Sequence, residues 1–163
     1  GVEERKQALD GLIASGIDPS VLIPGTGLCN LSESVALSQQ AVDAGCEGVM
    51  VLPPFYFKGV SDEGLLRYYE EFIDRVNRDN LRIYLYHIPQ VSGVGLSLEL
   101  VDALRKKYPT IVVGIKDSSG DWGNTKNLLD MEDFIVYPGS ELQLVEAMKM
   151  GAPGCISATA NLN

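Results

Sequence analysis

The amino-acid sequence predicts an α/β domain with a parallel sheet, on the basis of three observations. Short apolar segments alternate with segments of helical spacing over most of the 163 residues. The apolar segments are bounded by glycine, proline and polar residues, as is typical of parallel strands that are covered by helices. No linker or low-complexity stretch divides the chain, so we expect a single domain over residues 1–163.

Six segments are predicted strands, and each of the first five precedes a predicted helix. The predicted strands are residues 21–27, 48–54, 82–89, 110–116, 134–140 and 154–161. The predicted helices are residues 31–45, 61–77, 97–108, 123–131 and 141–151. In the first of these helices, Ser32 is the predicted N-cap and Gly45 is the predicted C-terminal stop.

Two parallel architectures fit this alternation. An open doubly wound sheet accommodates six strands, and the chain length favours it. A (β/α)₈ barrel needs two more strands and usually about 250 residues, but it draws its chemistry from several strand ends at one mouth. Polar or special residues follow every predicted strand, among them Thr26, Tyr86, Lys116 and Ser140, and this distribution favours the barrel.

Charge and cysteine content disfavour several classes of partner and location. Lys and Arg number 13 against 22 Asp and Glu, which gives a net charge of −9. This balance disfavours nucleic acid and anionic membranes as partners, although a local cation can still bind an acidic small molecule. The three cysteines are widely spaced and the first residues lack a signal-peptide core, so we expect a reducing, cytoplasmic location.

Lys116 is the strongest candidate for chemistry, because it ends an apolar strand. Side chains alternate along a strand, so Val112, Gly114 and Lys116 should share one face, with space beside the glycine just below the lysine. In a barrel that face is the interior, where desolvation raises the neutral, nucleophilic fraction of an amine. Such a lysine can form a Schiff base with a carbonyl compound. The alternative is a solvated lysine that is paired with Asp117.

Tyr86 lies near the end of the preceding predicted strand, so it should neighbour Lys116. A phenol beside an amine can relay protons during attack on a carbonyl. A packed tyrosine with a satisfied hydroxyl is the alternative. His87, the only histidine, is predicted to face the helices, and no metal-ligand spacing accompanies it. The stretch "PGTGLCN" lacks the third glycine of the dinucleotide-binding fingerprint and the Gly-Lys-Ser/Thr of a Walker loop, so nucleotide binding is not predicted there.

These residues resemble those of the dihydrodipicolinate synthase / N-acetylneuraminate lyase family of class I aldolases. The resemblance is carried by "GIKDSSGD" and by "YHIP" some thirty residues earlier. It extends to "PGTGLCNLSESVALSQQAVDAGCEGVMVLPPFY", "FIVYPGSE" and "GAPGCISATAN", and so covers nearly the whole chain. The family fold is a (β/α)₈ TIM barrel, usually assembled as a homotetramer.

The resemblance implies a role for four residues. Lys116 matches the lysine that forms a Schiff base with pyruvate or another 2-oxo acid, and Tyr86 matches the proton-relay tyrosine. Tyr56 matches a tyrosine that enters a neighbouring subunit's site in some members. Ile156 matches an apolar residue that lines the bound 2-oxo acid. The implied partners are a 2-oxo acid, an aldehyde and further copies of the chain, and no metal or organic cofactor is implied because the lysine itself supplies the electron sink.

The chain departs from the family pattern in three places. Its six predicted strands match the third to eighth of the barrel, so the first two strands, the carboxylate-binding loop after the second, and the C-terminal helices are missing. We therefore expect an incomplete barrel of about six βα units. Val91 stands where synthases carry an arginine that holds the aldehyde's carboxylate, and Glu141 matches only part of the lyases' sugar-binding residues.

The function that the resemblance implies is that of a Schiff-base-forming lyase or aldolase. A 2-keto-3-deoxy sugar-acid aldolase and a 4-hydroxy-2-oxo-acid aldolase are both compatible with the departures. Two alternatives stay open at this point. One is a module that binds a 2-oxo acid without turnover. The other is a truncated chain without activity of its own.

Overall fold

A computed structural model describes residues 1–162, and its centre is a parallel sheet of four strands. The strands are β1 (Val49–Val51), β2 (Ile83–His87), β3 (Val112–Asp117) and β4 (Ile135–Pro138). They are adjacent in chain order, and every pair is parallel. The helices are α1 (Val2–Ala14), α2 (Leu31–Asp43), α3 (Asp62–Val76), α4 (Pro89–Ser92), α5 (Leu98–Lys107), α6 (Trp122–Leu129) and α7 (Leu144–Lys149).

The first of the six predicted strands, residues 21–27, makes only one bridge to the sheet. The bridge joins Gly25 to Met50, whose N–H donates to Pro24 O at 2.9 Å. Thr26 N–H donates in turn to Met50 O at 2.9 Å. The prediction of a full strand was wrong because Pro24 has no N–H that could donate the next hydrogen bond of the ladder.

The last predicted strand, residues 154–161, is also not a strand. Ile156 N–H donates to Pro138 O at 3.0 Å, but Pro138 has no N–H that could donate a hydrogen bond back to the segment. The segment then turns into the 3₁₀ helix Ala158–Asn161, whose N-cap Ser157 accepts a hydrogen bond from Thr159 N–H. Both outer segments therefore run beside the sheet without completing a ladder.

Capping side chains fix most of the helix starts. Asn30 caps α2, so the predicted N-cap Ser32 was wrong and lies inside the helix. Ser61 caps α3, Ser97 caps α5 and Asp121 caps α6, each by accepting from a backbone N–H of the first turn. The predicted helix at 141–151 is shorter than expected, because a 3₁₀ turn precedes α7. Helix α1 has no counterpart among the predicted elements.

The hydrophobic core lies between the sheet and the helices. The strand residues in it are Val49, Val51, Ile83, Leu85, Val112, Ile115 and Val136, and the largest helix residues are Tyr69, Phe72 and Leu104. None of the helices within residues 1–162 is long and apolar enough to cross a membrane.

A β-bulge at the start of β3 changes which residues face the core. Ile83 pairs with Val112, but Tyr84 pairs with Gly114, so Val113 is an extra residue in the ladder. Val112 consequently packs in the core, whereas Val113 lines a cavity of about 530 Å³ with Tyr84. The prediction that Val112 shares a face with Gly114 and Lys116 was wrong for this reason.

Candidate active site

Lys116 and Tyr86 lie side by side at the carboxyl ends of β3 and β2. The two residues are register partners in the parallel ladder. Lys116 Nζ donates a hydrogen bond to Tyr86 Oη at 3.1 Å and lies 4.4 Å from the centroid of the phenol ring. Both side chains are half-buried. The sheet therefore joins an amine and a phenol at one edge, as the order of the strands predicted.

The solvated ion pair between Lys116 and Asp117 is not present. Among the described residues, no salt bridge includes either side chain. Asp117 is only 1% exposed, and its carboxylate accepts from Thr125 Oγ1 at 2.8 Å and from Asn124 Nδ2 at 3.0 Å. Because neighbouring side chains on a strand point to opposite faces, the carboxylate is directed towards α6 and away from the amine.

The space expected below Lys116 is filled by an aromatic ring. A Cβ at Gly114 would lie 2.8 Å from Tyr84 Cδ1 and 2.4 Å from Ile135 O. Tyr84 packs against Tyr137 with ring centroids 5.9 Å apart, and its hydroxyl donates to Glu47 Oε1 at 3.0 Å. Burial raises the pKa of Tyr84. Glycine at 114 therefore lets two neighbouring strands approach closely and does not create a vacant pocket.

Tyr56 lies apart from this pair, in the loop that follows β1. Its side chain is 75% exposed and packs edge-on against Phe57, with ring centroids 5.3 Å apart. Within residues 1–162, its described contacts include neither Lys116 nor Tyr86. Lys58, in the same loop, donates to Phe55 O and to Ser92 O, which links the loop to the end of α4.

Ile156 lies near the carboxyl end of β4, where its N–H reaches Pro138 O. The segment around it brings together polar groups that were not predicted to contact one another. Ser157 Oγ donates to Glu141 Oε2 at 2.5 Å and lies 2.7 Å from Thr159 Oγ1. The Ser157 hydroxyl lowers the pKa of Glu141. The serine and threonine after the last apolar segment were the signal for this cluster in the sequence.

His87 packs beneath the site, as predicted for a residue that faces the helices. It is buried, and its Nδ1 accepts from Leu96 N–H at 2.9 Å. Burial lowers the pKa of the imidazole. Within residues 1–162, no group of three His, Cys, Asp or Glu side chains has the geometry to hold a metal ion.

Comparison with known proteins identifies the family. A sequence model described as the Dihydrodipicolinate synthetase family matches residues 3–163. The chain belongs to this family. A DapA-like lyase of Chloroflexus aurantiacus, described as uncharacterized, is 38% identical over 161 residues, which are 98% of this chain and 53% of the relative. The chain therefore spans about half the length of the curated relatives that it matches.

Solved structures of the family have the same fold. Dihydrodipicolinate synthase from Agrobacterium tumefaciens superposes with a TM-score of 0.94 at 38% identity, over 99% of this chain and 56% of that one. YagE from Escherichia coli, a prophage protein solved in complex with pyruvate, superposes with a TM-score of 0.85 at 32% identity, over 99% and 54% of the two chains. The parallel sheet with its helices is thus an incomplete (β/α)₈ barrel, as predicted.

Proposed function

We propose that this protein is a lyase that forms a Schiff base between Lys116 and the 2-oxo group of pyruvate or a related 2-oxo acid. The observation that carries the proposal is the 3.1 Å contact between Lys116 Nζ and Tyr86 Oη at neighbouring strand ends. Family membership supports it, as does the pyruvate complex of YagE. The acidity of the whole chain does not oppose an acidic substrate, because the amine is a local cation at the strand ends.

In the proposed reaction, the neutral amine of Lys116 attacks the C2 carbonyl of a 4-hydroxy-2-oxo acid. The Tyr86 hydroxyl relays one proton from the nitrogen to the oxygen, which gives a neutral carbinolamine, and then donates its own proton to that hydroxyl group, so that water leaves, an iminium forms and Tyr86 becomes a phenolate. Tyr86 then removes the proton of the 4-hydroxyl, the C3–C4 bond breaks, and its electron pair moves into the iminium as an enamine. Protonation at C3 and hydrolysis release pyruvate and restore the lysine.

The described residues favour a hydroxylated aldehyde as the second substrate. Val91, in the place where synthases carry an arginine, is 75% exposed and offers no charge to a carboxylate. Glu141, Ser157 and Thr159 lie together beyond β4, and carboxylate and hydroxyl groups hydrogen-bond to hydroxyl groups. We therefore favour a 2-keto-3-deoxy sugar acid or another 4-hydroxy-2-oxo acid over the substrates of dihydrodipicolinate synthesis.

The exposed Tyr56 supports a homo-oligomer in which this loop contacts a second copy. Two neighbouring aromatic rings, those of Tyr56 and Phe57, are 75% and 61% exposed. Aromatic side chains are enriched in protein interfaces. We expect a Y56A variant to weaken the oligomer in analytical ultracentrifugation. If Y56A leaves the dissociation constant of the oligomer unchanged, this loop does not belong to the interface.

The test is reduction with borohydride in the presence of pyruvate, followed by peptide mass mapping, on the full-length gene product. We expect one adduct, on the peptide that carries Lys116. K116R should abolish it, because a guanidinium does not form the imine, whereas the control K149R, on an exposed lysine paired with Glu146, should keep it. No adduct, or an adduct on another lysine, would refute the proposal. An adduct without turnover of any aldehyde would favour the binding module.

A further inference from the structure

We propose that Asp117 is a positioning residue, which holds Lys116 against Tyr86 through the backbone of β3; this role rests on the proposed function. Asp117 is the last residue of β3 and directly follows the lysine. Its side chain is 1% exposed. A buried carboxylate is costly unless hydrogen bonds compensate it, so this side chain needs donors around it.

Three neutral donors compensate the carboxylate. Thr125 Oγ1 and Asn124 Nδ2 donate to Oδ2 at 2.8 and 3.0 Å, and Ser119 N–H donates to Oδ1 at 2.9 Å. Thr125 and Asn124 belong to the first half of α6, whose amino end favours a negative charge. Both oxygens of a carboxylate accept hydrogen bonds, so the carboxylate matches this set of donors. An asparagine would replace one of these oxygens with an NH2 group, which cannot accept a hydrogen bond from the donors on that side.

The backbone around Asp117 is also held from both sides. Gly139 N–H, beyond β4, donates to Asp117 O at 2.7 Å. Ser118 N–H donates to His87 O, at the end of β2, at 2.8 Å. The peptide that follows Lys116 is therefore tied to α6 by the side chain and to both neighbouring strands by the main chain.

This arrangement determines where the amine lies. The side chains of Lys116 and Asp117 leave opposite faces of β3, so anchoring the carboxylate to α6 directs the lysine towards Tyr86 on β2. A shift of the strand end would lengthen the 3.1 Å contact between Nζ and Oη. A displacement of roughly 1 Å at a reacting group costs about 100-fold in rate.

The experiment measures both the rate and the final yield of the borohydride-trapped pyruvate adduct in the full-length D117N protein. A misfolded fraction lowers the yield and leaves the rate per competent molecule unchanged. Loss of positioning lowers the rate and leaves the yield full. We expect a rate about 10- to 100-fold lower than that of the wild type, at full yield. D102N, at a half-buried carboxylate on α5 that is paired with Arg105 and Lys106, and L104A, a core truncation in the same helix, should keep the wild-type rate.

A double variant tests whether Asp117 acts through the pair. If it does, D117N should have little effect on the rate in a Y86F background, and the pH–rate profile of D117N should resemble that of Y86F. An unchanged rate in D117N, a loss of yield alone, or full additivity with Y86F would each refute the positioning role. If D117N does not fold, the T125V variant replaces it, because it removes one donor and keeps the carboxylate. We expect T125V to lower the trapping rate at full yield, by less than D117N would. A wild-type trapping rate in T125V would refute the role.

The outcomes separate this inference from the proposed function. An adduct on wild-type Lys116 together with an unaffected D117N refutes the role of Asp117 alone. The absence of an adduct in the wild type refutes the proposed function and, with it, this role.

Discussion

Replacing Gly114 by alanine tests how tightly the strands pack beneath the candidate lysine. The added Cβ would lie 2.4 Å from Ile135 O, 2.8 Å from Tyr84 Cδ1 and 3.0 Å from Ile135 Cβ. Non-bonded heavy atoms prefer about 3.5 Å, so the backbone of β4 must move by about 1 Å. All three contacts involve residues of the sheet, and two of them are with the carbonyl oxygen and the Cβ of Ile135, which no side-chain rotation can move.

We expect G114A to lower the free energy of unfolding by about 1–3 kcal/mol, which is the usual cost of overpacking. The trapping rate at Lys116 should also fall, by up to about 100-fold, because the same movement displaces the strand that carries the amine. Urea denaturation measures the first effect, and borohydride trapping measures the second.

The matched control is G25A, because a Cβ at Gly25 has no neighbour within 4 Å. A G114A protein whose stability lies within about 0.5 kcal/mol of the wild type, and whose trapping rate is unchanged, would refute the reasoning. It would mean that β3 and β4 separate without cost and that the lysine does not depend on their spacing.

Three further predictions concern stability. Burial lowers the pKa of His87 in the folded state, so the unfolded chain binds the proton more tightly, and the free energy of unfolding should be highest above about pH 6.5 and fall as the pH decreases. In urea titrations at pH 5.5 and 7.5, H87N should show a smaller difference in stability between the two pH values than the wild type. An unchanged difference in H87N would contradict this prediction. In the exposed interior of α1, G11A should raise the free energy of unfolding by about 0.5–1 kcal/mol, and a loss of stability would show an unseen contact. L104A, at a fully buried side chain of α5, should cost about 2–5 kcal/mol in the same titration, and a cost below about 1 kcal/mol would place Leu104 outside the core.

The central features of the fold could be predicted because they depend on local chemistry. The four strands of the sheet lie within apolar segments that end in polar residues, and Ser61 and Ser97 cap helices where the helical spacing begins. The pairing of Tyr86 with Lys116 followed from strand order, since consecutive strands of such a protein are neighbours.

The errors came from features that depend on contacts between distant segments. Because of the bulge, Val112 packs in the core and Val113 lies on the opposite face, which is the reverse of the predicted arrangement. Alternation along one strand cannot reveal a bulge, because the extra residue is defined by pairing with the partner strand. The ring of Tyr84 fills the space beside Gly114, and the sequence gives no signal for that contact. The two missing ladders trace to Pro24 and Pro138, because neither residue has an N–H that could donate to the neighbouring segment.

In the candidate site, strand order predicted the contact between Lys116 and Tyr86 but not the groups that hold the two residues in place. From the sequence, Asp117 is predicted only as an ion-pair partner of Lys116, because the two residues are adjacent in the chain. Its side-chain partners, Asn124 and Thr125, are seven and eight residues away in α6. The predicted helix begins at Gly123, whereas α6, which brings these side chains to the strand end, begins at Trp122.

The most direct test of the proposed chemistry is a crystal structure of the full-length protein soaked with pyruvate. We predict continuous density between Lys116 Nζ and C2 of the ligand, with Tyr86 Oη within hydrogen-bonding distance of the new bond. Pyruvate bound without a covalent link at full occupancy, or linked to a different lysine, would contradict the assignment of Lys116 as the nucleophile.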